Sequence, residues 1–413
     1  MANVLFCAVT FNLAETTRMI QVARALDPSH HPVFMGYESD YVSLIADAGF
    51  EYRACAPSWS EAERQQAIAF DQGRAMRTPF TKELVAARVD VERELIRELR
   101  SPVVVTGSNL TSYLSARAEG VPLFYPVPFA LTLAQVEQTR HMDFVRGRGR
   151  AARAADRLAT SIFRWVYTRA PLAPRAFTTV AKANGVAPLR TVASLLTADR
   201  NLLTEMEWEL DGFRIPVGFE RVGPIFAHVD VPIPPIVDQL AAASDPLIYL
   251  ALGSSANRGL ALEAARALGT LPVNVVAPIR HYLDPGDSVP DNVHVTDLLP
   301  AHKLGGLVDA AVLHGGQGTV QTACATGVPF VGMGLQPEQT WHVRACERRG
   351  NAIAVSPKQV SKPPFVDAVQ RVLSEPGFRT AAAEVREAYA REDGAAAVAR
   401  LIETEIGRTS AAD

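Results

Sequence analysis

Apolar residues along this chain fall into short continuous runs that alternate with amphipathic stretches of helical period. The run Val4-Leu5-Phe6-Cys7-Ala8-Val9-Thr10 opens the chain. Met19, Ile20, Val22, Ala23 and Leu26 follow at helical spacing before Pro28, so a strand over 3–10 is followed by a helix. Similar β-type and helical runs continue at 33–35, 41–48, 90–99, 103–106, 110–119 and 123–125. Such alternation predicts a parallel sheet covered by helices. Residues 126–198 break the rhythm: they read as helical, are rich in arginine and are interrupted by Pro171, Pro174 and Pro188. This insert is expected on the ligand-facing side of the first domain, and a strand resumes at 200–204.

Between 222 and 245 the chain carries Pro224, Pro232, Pro234 and Pro235 with little helical period, the composition of a semi-rigid connector. The alternation then restarts, with strands at 247–252, 273–277, 293–295, 310–314 and 330–332 and helices at 260–268 and near 319–326. The Ala-rich stretch 379–405 reads as packed amphipathic helices. The expected organisation is an α/β chain with a first Rossmann-like domain over 1–221, a linker over 222–245 and a second such domain over 246–390. A C-terminal helix over 391–413 can return to the first domain.

Composition narrows the function classes. The 413 residues are 48% hydrophobic and 21% charged, proportions of a globular chain with sizeable cores. A formal charge of −3 supplies no global attraction to nucleic acid. Cys7, Cys55, Cys324 and Cys346 show no short paired spacing of a zinc site or disulfide framework, and reduced thiols in a cytoplasm fit best. The first residues lack a signal-peptide pattern, and no apolar run reaches the ~18 residues of a membrane span.

The sharpest local signal is Ala311-Val312-Leu313-His314-Gly315-Gly316-Gln317-Gly318-Thr319, an apolar strand entering a glycine-rich turn and then a helix near Thr319. Glycines let backbone approach a ligand, and the helix N-terminus favours an anion. The segment is neither a P-loop nor a GxGxxG fingerprint, and as a turn alone it is also an ordinary strand-to-helix connection. Its neighbours add weight. Gly253-Ser254, Asp297-Leu298-Leu299-Pro300-Ala301-His302, the His314 turn, Gly327-Val328-Pro329 and Pro337-Glu338-Gln339 occur in one order along the second half.

In that order the second half resembles the nucleotide-sugar-binding domain of family 1 glycosyltransferases, specifically over about 250–350 and generically elsewhere. The resemblance implies a GT-B fold, two facing Rossmann-like domains with an interdomain cleft. It implies that His314, Gly316, Gly318 and Thr319 hold the donor diphosphate, with Ser254 opposite, while Leu298 and Ala301 flank the base. Glu338 and Gln339 match the pair that contacts the transferred sugar, although Glu338 equally suits a helix N-terminus as a capping charge. Leu298 stands where many relatives place an aromatic residue that stacks on the base. Thr322 replaces the ribose-gripping glutamate of plant relatives, which tilts the donor toward a dTDP-sugar, with UDP-sugars still open.

The first strand-to-helix turn departs most informatively. Aligned through Val22-Ala23-Arg24-Ala25-Leu26, the family's histidine base falls on Glu15, and its supporting aspartate falls where Ser108 and Asn109 stand. Losing both together is coherent, since a carboxylate has no tautomer to fix. Glu15 is also ordinary first-turn chemistry for a helix, and as a base it requires burial to raise its pKa. Asn12, Ser108, Asn109 and His141 are the acceptor-side candidates, His141 as a spare base. Residues 140–175 hold nine Arg and no Lys against Asp143 and Asp156, a net +7 with His141 neutral. That run reads first as a solvated face, and otherwise as a contact for an acidic acceptor or anionic membrane, with Phe163, Trp165, Val166 and Tyr167 as apolar area.

The combined expectation is an inverting transferase moving a sugar from a dTDP- or UDP-sugar to a small natural-product-like acceptor. Glu15 is its general base, and neither a metal nor another cofactor is needed, since no Asp-x-Asp motif is present. A transferase for a lipid-linked acceptor at a membrane surface, a nucleotide-sugar epimerase and a non-catalytic partner protein that binds nucleotide weakly or not at all are the alternatives; membrane association is not favoured.

Overall fold

The computed structural model describes all residues except 39, 72–77, 143, 146–148, 188, 227, 228, 230, 254 and 413. Pro188 and Ser254 of the sequence reading therefore lie outside the described residues, as does Asp143. Met1–Ile225 and Asp393–Asp413 make one compact unit, and Phe226–Glu392 makes a second.

In the first unit β1 (Asn3–Cys7), β2 (His31–Gly36), β3 (Glu51–Ala54), β4 (Val104–Thr106), β5 (Leu123–Val127), β6 (Arg200–Leu203) and β7 (Phe219–Arg221) form one sheet. Its order is β3-β2-β1-β4-β5-β6-β7, and every pairing is parallel. Phe6 of β1 lies opposite Phe34 of β2 on one side and Val105 of β4 on the other, and the Phe6 and Phe34 rings stack at 4.9 Å. The central strands read as unbroken apolar runs because helices bury both faces of the sheet.

The second unit repeats the plan with β8 (Leu247–Ala251), β9 (Asn274–Ala277), β10 (Val293–Val295), β11 (Ala310–Leu313), β12 (Phe330–Gly332) and β13 (Ala352–Ala354). The order is β10-β9-β8-β11-β12-β13, again parallel. In both sheets the chain builds outward in one direction and then reverses: between β1 and β4 in the first, between β8 and β11 in the second. At such a reversal the connections leave the strands' C-terminal ends toward opposite faces, opening a crevice that ligands of α/β proteins occupy.

The differences from the sequence reading have common causes. The strands without a predicted run, β3, β7 and β13, are all edge strands, partly exposed and so lacking a continuous apolar stretch. The helix expected over 90–99 begins eight residues earlier, as Lys82–Leu99, because the Thr81 side chain accepts from Leu84 N at 3.1 Å and caps it. Within the Pro-rich stretch 222–245, Pro235 starts a helix, Pro235–Ala241, since proline suits a first helical turn.

The C-terminal helix, Gly394–Ala412, packs in the first unit. Val398, Ala399, Ile402 and Ile406 bury against a core that includes Met19, Ile20, Val22 and Ala23 of the first helix, Leu13–Ala25. The Glu403 carboxylate also accepts from Asp27 N at 2.9 Å. Ile402 is fully buried, so Ile402→Ala is expected to lower unfolding stability by about 2–5 kcal/mol. Chemical denaturation measures this, and an unshifted midpoint would show that the helix does not brace the first unit.

Candidate active site

The crevice between β1 and β4 holds Glu15. Asn12 ends the loop after β1, and its side-chain oxygen accepts from Glu15 N at 3.2 Å, capping the first helix. Capping is thus the work of Asn12, which leaves the Glu15 carboxylate for another partner. Glu15 is 6% exposed, and its Oε1 accepts from Ser108 N, in the loop after β4, at 2.6 Å. Burial pushes its pKa up to about 7, against the opposing pull of the Ser108 N–H and the Arg18 charge. Gly107 makes room for it: a Cβ built there would lie 1.5 Å from Glu15 Oε1.

Tyrosines line the same place. The Tyr113 hydroxyl is buried without a hydrogen-bond partner, and burial, with the charges of Tyr125 and Glu15 nearby, pushes its pKa up. Tyr113 meets Tyr125 edge to face at 6.0 Å, and Tyr125 Oη lies 3.4 Å from Ser108 Oγ. Sequence reasoning missed Gly107, Tyr113 and Tyr125. Their common setting, after β4 or in its neighbour β5, appears only once the strand order is known.

Two other acceptor-side candidates are engaged elsewhere. Asn109 is buried; its Nδ2 donates to Glu92 Oε1 at 3.0 Å and its Oδ1 accepts from Thr111. It is part of a network around the buried Glu92 carboxylate, which also accepts from Tyr37, Thr111 and Ser115. Asn109 therefore supports the loop through these bonds. His141 Nδ1 lies 3.0 Å from the buried Asp156 carboxylate. Asp156 also accepts from Val145 N, so Asp156 fastens His141 and Val145 to the arginine-rich helix, Arg150–Thr168.

The crevice between β8 and β11 holds His314. The ring is buried, with Nδ1 3.4 Å from Ala251 O. Burial lowers its pKa, opposed by that carbonyl and by the Glu338 charge. Two glycines form the slot. A Cβ at Gly253 would come within 2.4 Å of His314 Cε1, and one at Gly316 within 2.4 Å of Nε2. The Tyr282 hydroxyl donates to Gly253 O. The helix starts at Gln317, two residues before the expected Thr319, with Gly316 as N-cap. Thr319 N and its hydroxyl both donate to Gly316 O, so the hydroxyl expected to face phosphate is used locally. The Gly318 N–H, in the first turn, has no acceptor within the helix.

Glu338 and Gln339 begin the helix Pro337–Arg349. Gln339 is buried; its Nε2 donates to Ser255 Oγ at 3.0 Å and its Oε1 accepts from Leu335 N at 3.1 Å. It thereby ties the helix to the loop after β8. Glu338 Oε1 lies 3.3 Å from His342 Nε2. Leu298 is 49% exposed, and Ala301 opens the short turn Ala301–Lys303 that follows β10. Ser254, between the described Gly253 and Ser255, lies outside the described residues.

Residues 265–404 match the model described as erythromycin biosynthesis protein CIII-like, C-terminal domain. Over 400 residues the chain is 27% identical to a PGL/p-HBAD biosynthesis glycosyltransferase of Mycobacterium tuberculosis, spanning 94% of this chain and 88% of that protein. The chain is a glycosyltransferase, similar to the family 1 enzymes. Solved glycosyltransferases share its fold: VinC in complex with dTDP has a TM-score of 0.68 at 19% identity, covering 98% of this chain and 100% of that one. The spinosyn rhamnosyltransferase SpnG, complexed with spinosyn aglycone, has 0.64 at 17%, covering 97% and 99%. The fold of this glycosyltransferase is GT-B. Among the described residues no helix is long and apolar enough to cross a membrane, and no group of three or more His, Cys, Asp or Glu is placed to hold a metal ion.

The raised pKa of Glu15 couples to stability. Folding favours its protonated form, a contribution complete below about pH 4.5 and lost as pH rises through about 7. Glu15→Gln removes this titration, so the variant should gain on wild type across that window by up to about 3 kcal/mol. Urea denaturation at pH 4 and pH 8 checks it; an equal difference at both pH values would place the carboxylate in solvent.

Proposed function

We propose that this glycosyltransferase moves a hexose from a dTDP- or UDP-sugar to a hydroxyl of a small, natural-product-like acceptor, with inversion and with Glu15 as general base. The observation that carries the reading is the buried Glu15 carboxylate at the β1/β4 reversal, with a pKa near neutrality where a free glutamate is a weak base. The acceptor O–H proton passes to a Glu15 carboxylate oxygen. The freed oxygen bonds to the anomeric carbon from the face opposite the diphosphate, and the bond to the diphosphate oxygen breaks with its electron pair. The tyrosine-lined surroundings of Glu15 suit an apolar or aromatic acceptor.

The departing diphosphate carries most of the developing charge. The Gly318 N–H, the helix dipole and His314 are the groups proposed to receive it. In this role no metal is called for, and the neighbours of known structure support the choice of donor class, one being complexed with dTDP. Glu338, whose charge reaches His314, is proposed to contact the sugar hydroxyls. Gln339 is proposed to do so only by giving up its bond to Ser255.

If Glu15 is the base, turnover rises with pH through about 7 and levels above it. Glu15→Gln is expected to lower kcat by about 10²–10⁴-fold with nucleotide affinity kept. A variant with near-normal rates across the pH range removes Glu15 from the mechanism.

His314 is held largely neutral by burial, and with Nδ1–H turned to Ala251 O its Nε2 presents a lone pair. Binding a diphosphate should therefore draw a proton onto the ring. Calorimetry of dTDP and UDP in buffers of different ionisation enthalpy is expected to show proton uptake near neutral pH. That uptake should vanish, and affinity fall, in His314→Ala; buffer-independent heats with unchanged affinity would move the phosphate site elsewhere.

A further inference from the structure

The helix Arg150–Thr168 wears its apolar face outward. Leu158, Ile162 and Trp165 are 64%, 55% and 57% exposed, and their i, i+4, i+7 spacing puts them in one stripe along the helix. Phe144, itself exposed, packs its ring against Phe163 at 5.3 Å and extends the patch. Isolated apolar residues on a surface are ordinary, but a continuous stripe is a contact surface.

Beside the stripe runs a row of charge. Arg150, Arg153 and Arg157 are exposed and share a face by their i, i+3, i+7 spacing. Arg157 sits about 100° around the helix from Leu158. The opposite side is the anchored one. Asp156 and Thr160 are buried, Thr160 accepting from Met142 N and Asp156 from Val145 N, while Arg164 donates to Thr139 O. The helix is thus fixed to the first unit by its polar face and turns apolar and cationic residues to solvent. Tyr167, on its last turn, lies close enough to Tyr125 to feel its charge, which places this helix beside the Glu15 surroundings.

We propose that the stripe is a peripheral membrane-docking surface that settles at the interface of an anionic bilayer. Leu158, Ile162 and Trp165 enter the headgroup and acyl boundary, and the arginine row meets lipid phosphates. The charge pattern chooses this occupant over a second copy of the chain, which would bring another arginine row to the rim of the contact. Docking does not depend on the proposed chemistry. Joined to it, docking would let the Glu15 site draw apolar acceptors from the bilayer.

The test is co-sedimentation of the full-length protein with vesicles of phosphatidylcholine alone and of phosphatidylcholine with phosphatidylglycerol. Binding is expected to the anionic vesicles only, weakening as salt is raised. Leu158→Ser/Ile162→Ser/Trp165→Ser and Arg150→Ala/Arg153→Ala/Arg157→Ala should each lower binding about tenfold or more. Both should keep the wild-type melting temperature, because the altered side chains are exposed. No binding by wild type, or equal binding by folded variants, overturns the proposal. So does a concentration-dependent dimer in ultracentrifugation that the serine variant abolishes, since the stripe then serves a second copy.

Discussion

The structure turns on one desolvated carboxyl group. Glu15 is held out of water between the first helix and the loop after β4, with the Ser108 N–H on Oε1. Full hydration would leave it a weak base, and several donors would lower its pKa further. Burial outweighs the hydrogen bonds from Ser108 and Val9 and the Arg18 charge, and brings it to about 7. The arrangement needs Gly107, because any side chain there would occupy the carboxylate's own volume.

Each sheet reverses its direction of growth once, and both candidate centres sit at those reversals with opposite electrostatics. In the first unit the crevice presents an acid among tyrosines, suited to taking a proton. In the second it presents a helix N-terminus and an imidazole, suited to holding an anion. The same topology thus carries two chemically different centres, with the difference made by a few residues on the loops after β1, β4, β8 and β11.

Beneath the Glu15 loop, the buried Glu92 carboxylate gathers hydroxyl and amide donors from Tyr37, Asn109, Thr111 and Ser115. Arg88, one turn earlier on the same helix, lies over the rings of Tyr37 and Trp59 and donates to Pro57 O. A buried polar cluster with its acceptors met is rigid. Here it fixes residues 109–115, directly after Gly107 and Ser108, and so sets where the Ser108 N–H points.

The sequence by itself determined the alternation of strand and helix, the doubling into two α/β halves, the His314 turn and the family resemblance. These are local: an apolar run buried on both faces, or a glycine turn entering a helix, is legible within ten or twenty residues. The edge strands β3, β7 and β13 escaped because a half-exposed strand needs no apolar run. Only tertiary structure decided that Asn109 turns inward, that Thr319 spends its hydroxyl on Gly316 O, and that Gln339 binds Ser255, since each depends on a partner brought close by folding. It also decided the character of Glu15. A glutamate in a first helical turn reads alike whether solvated or buried, and its proton affinity is set by Gly107 and Ser108, more than ninety residues away in the chain.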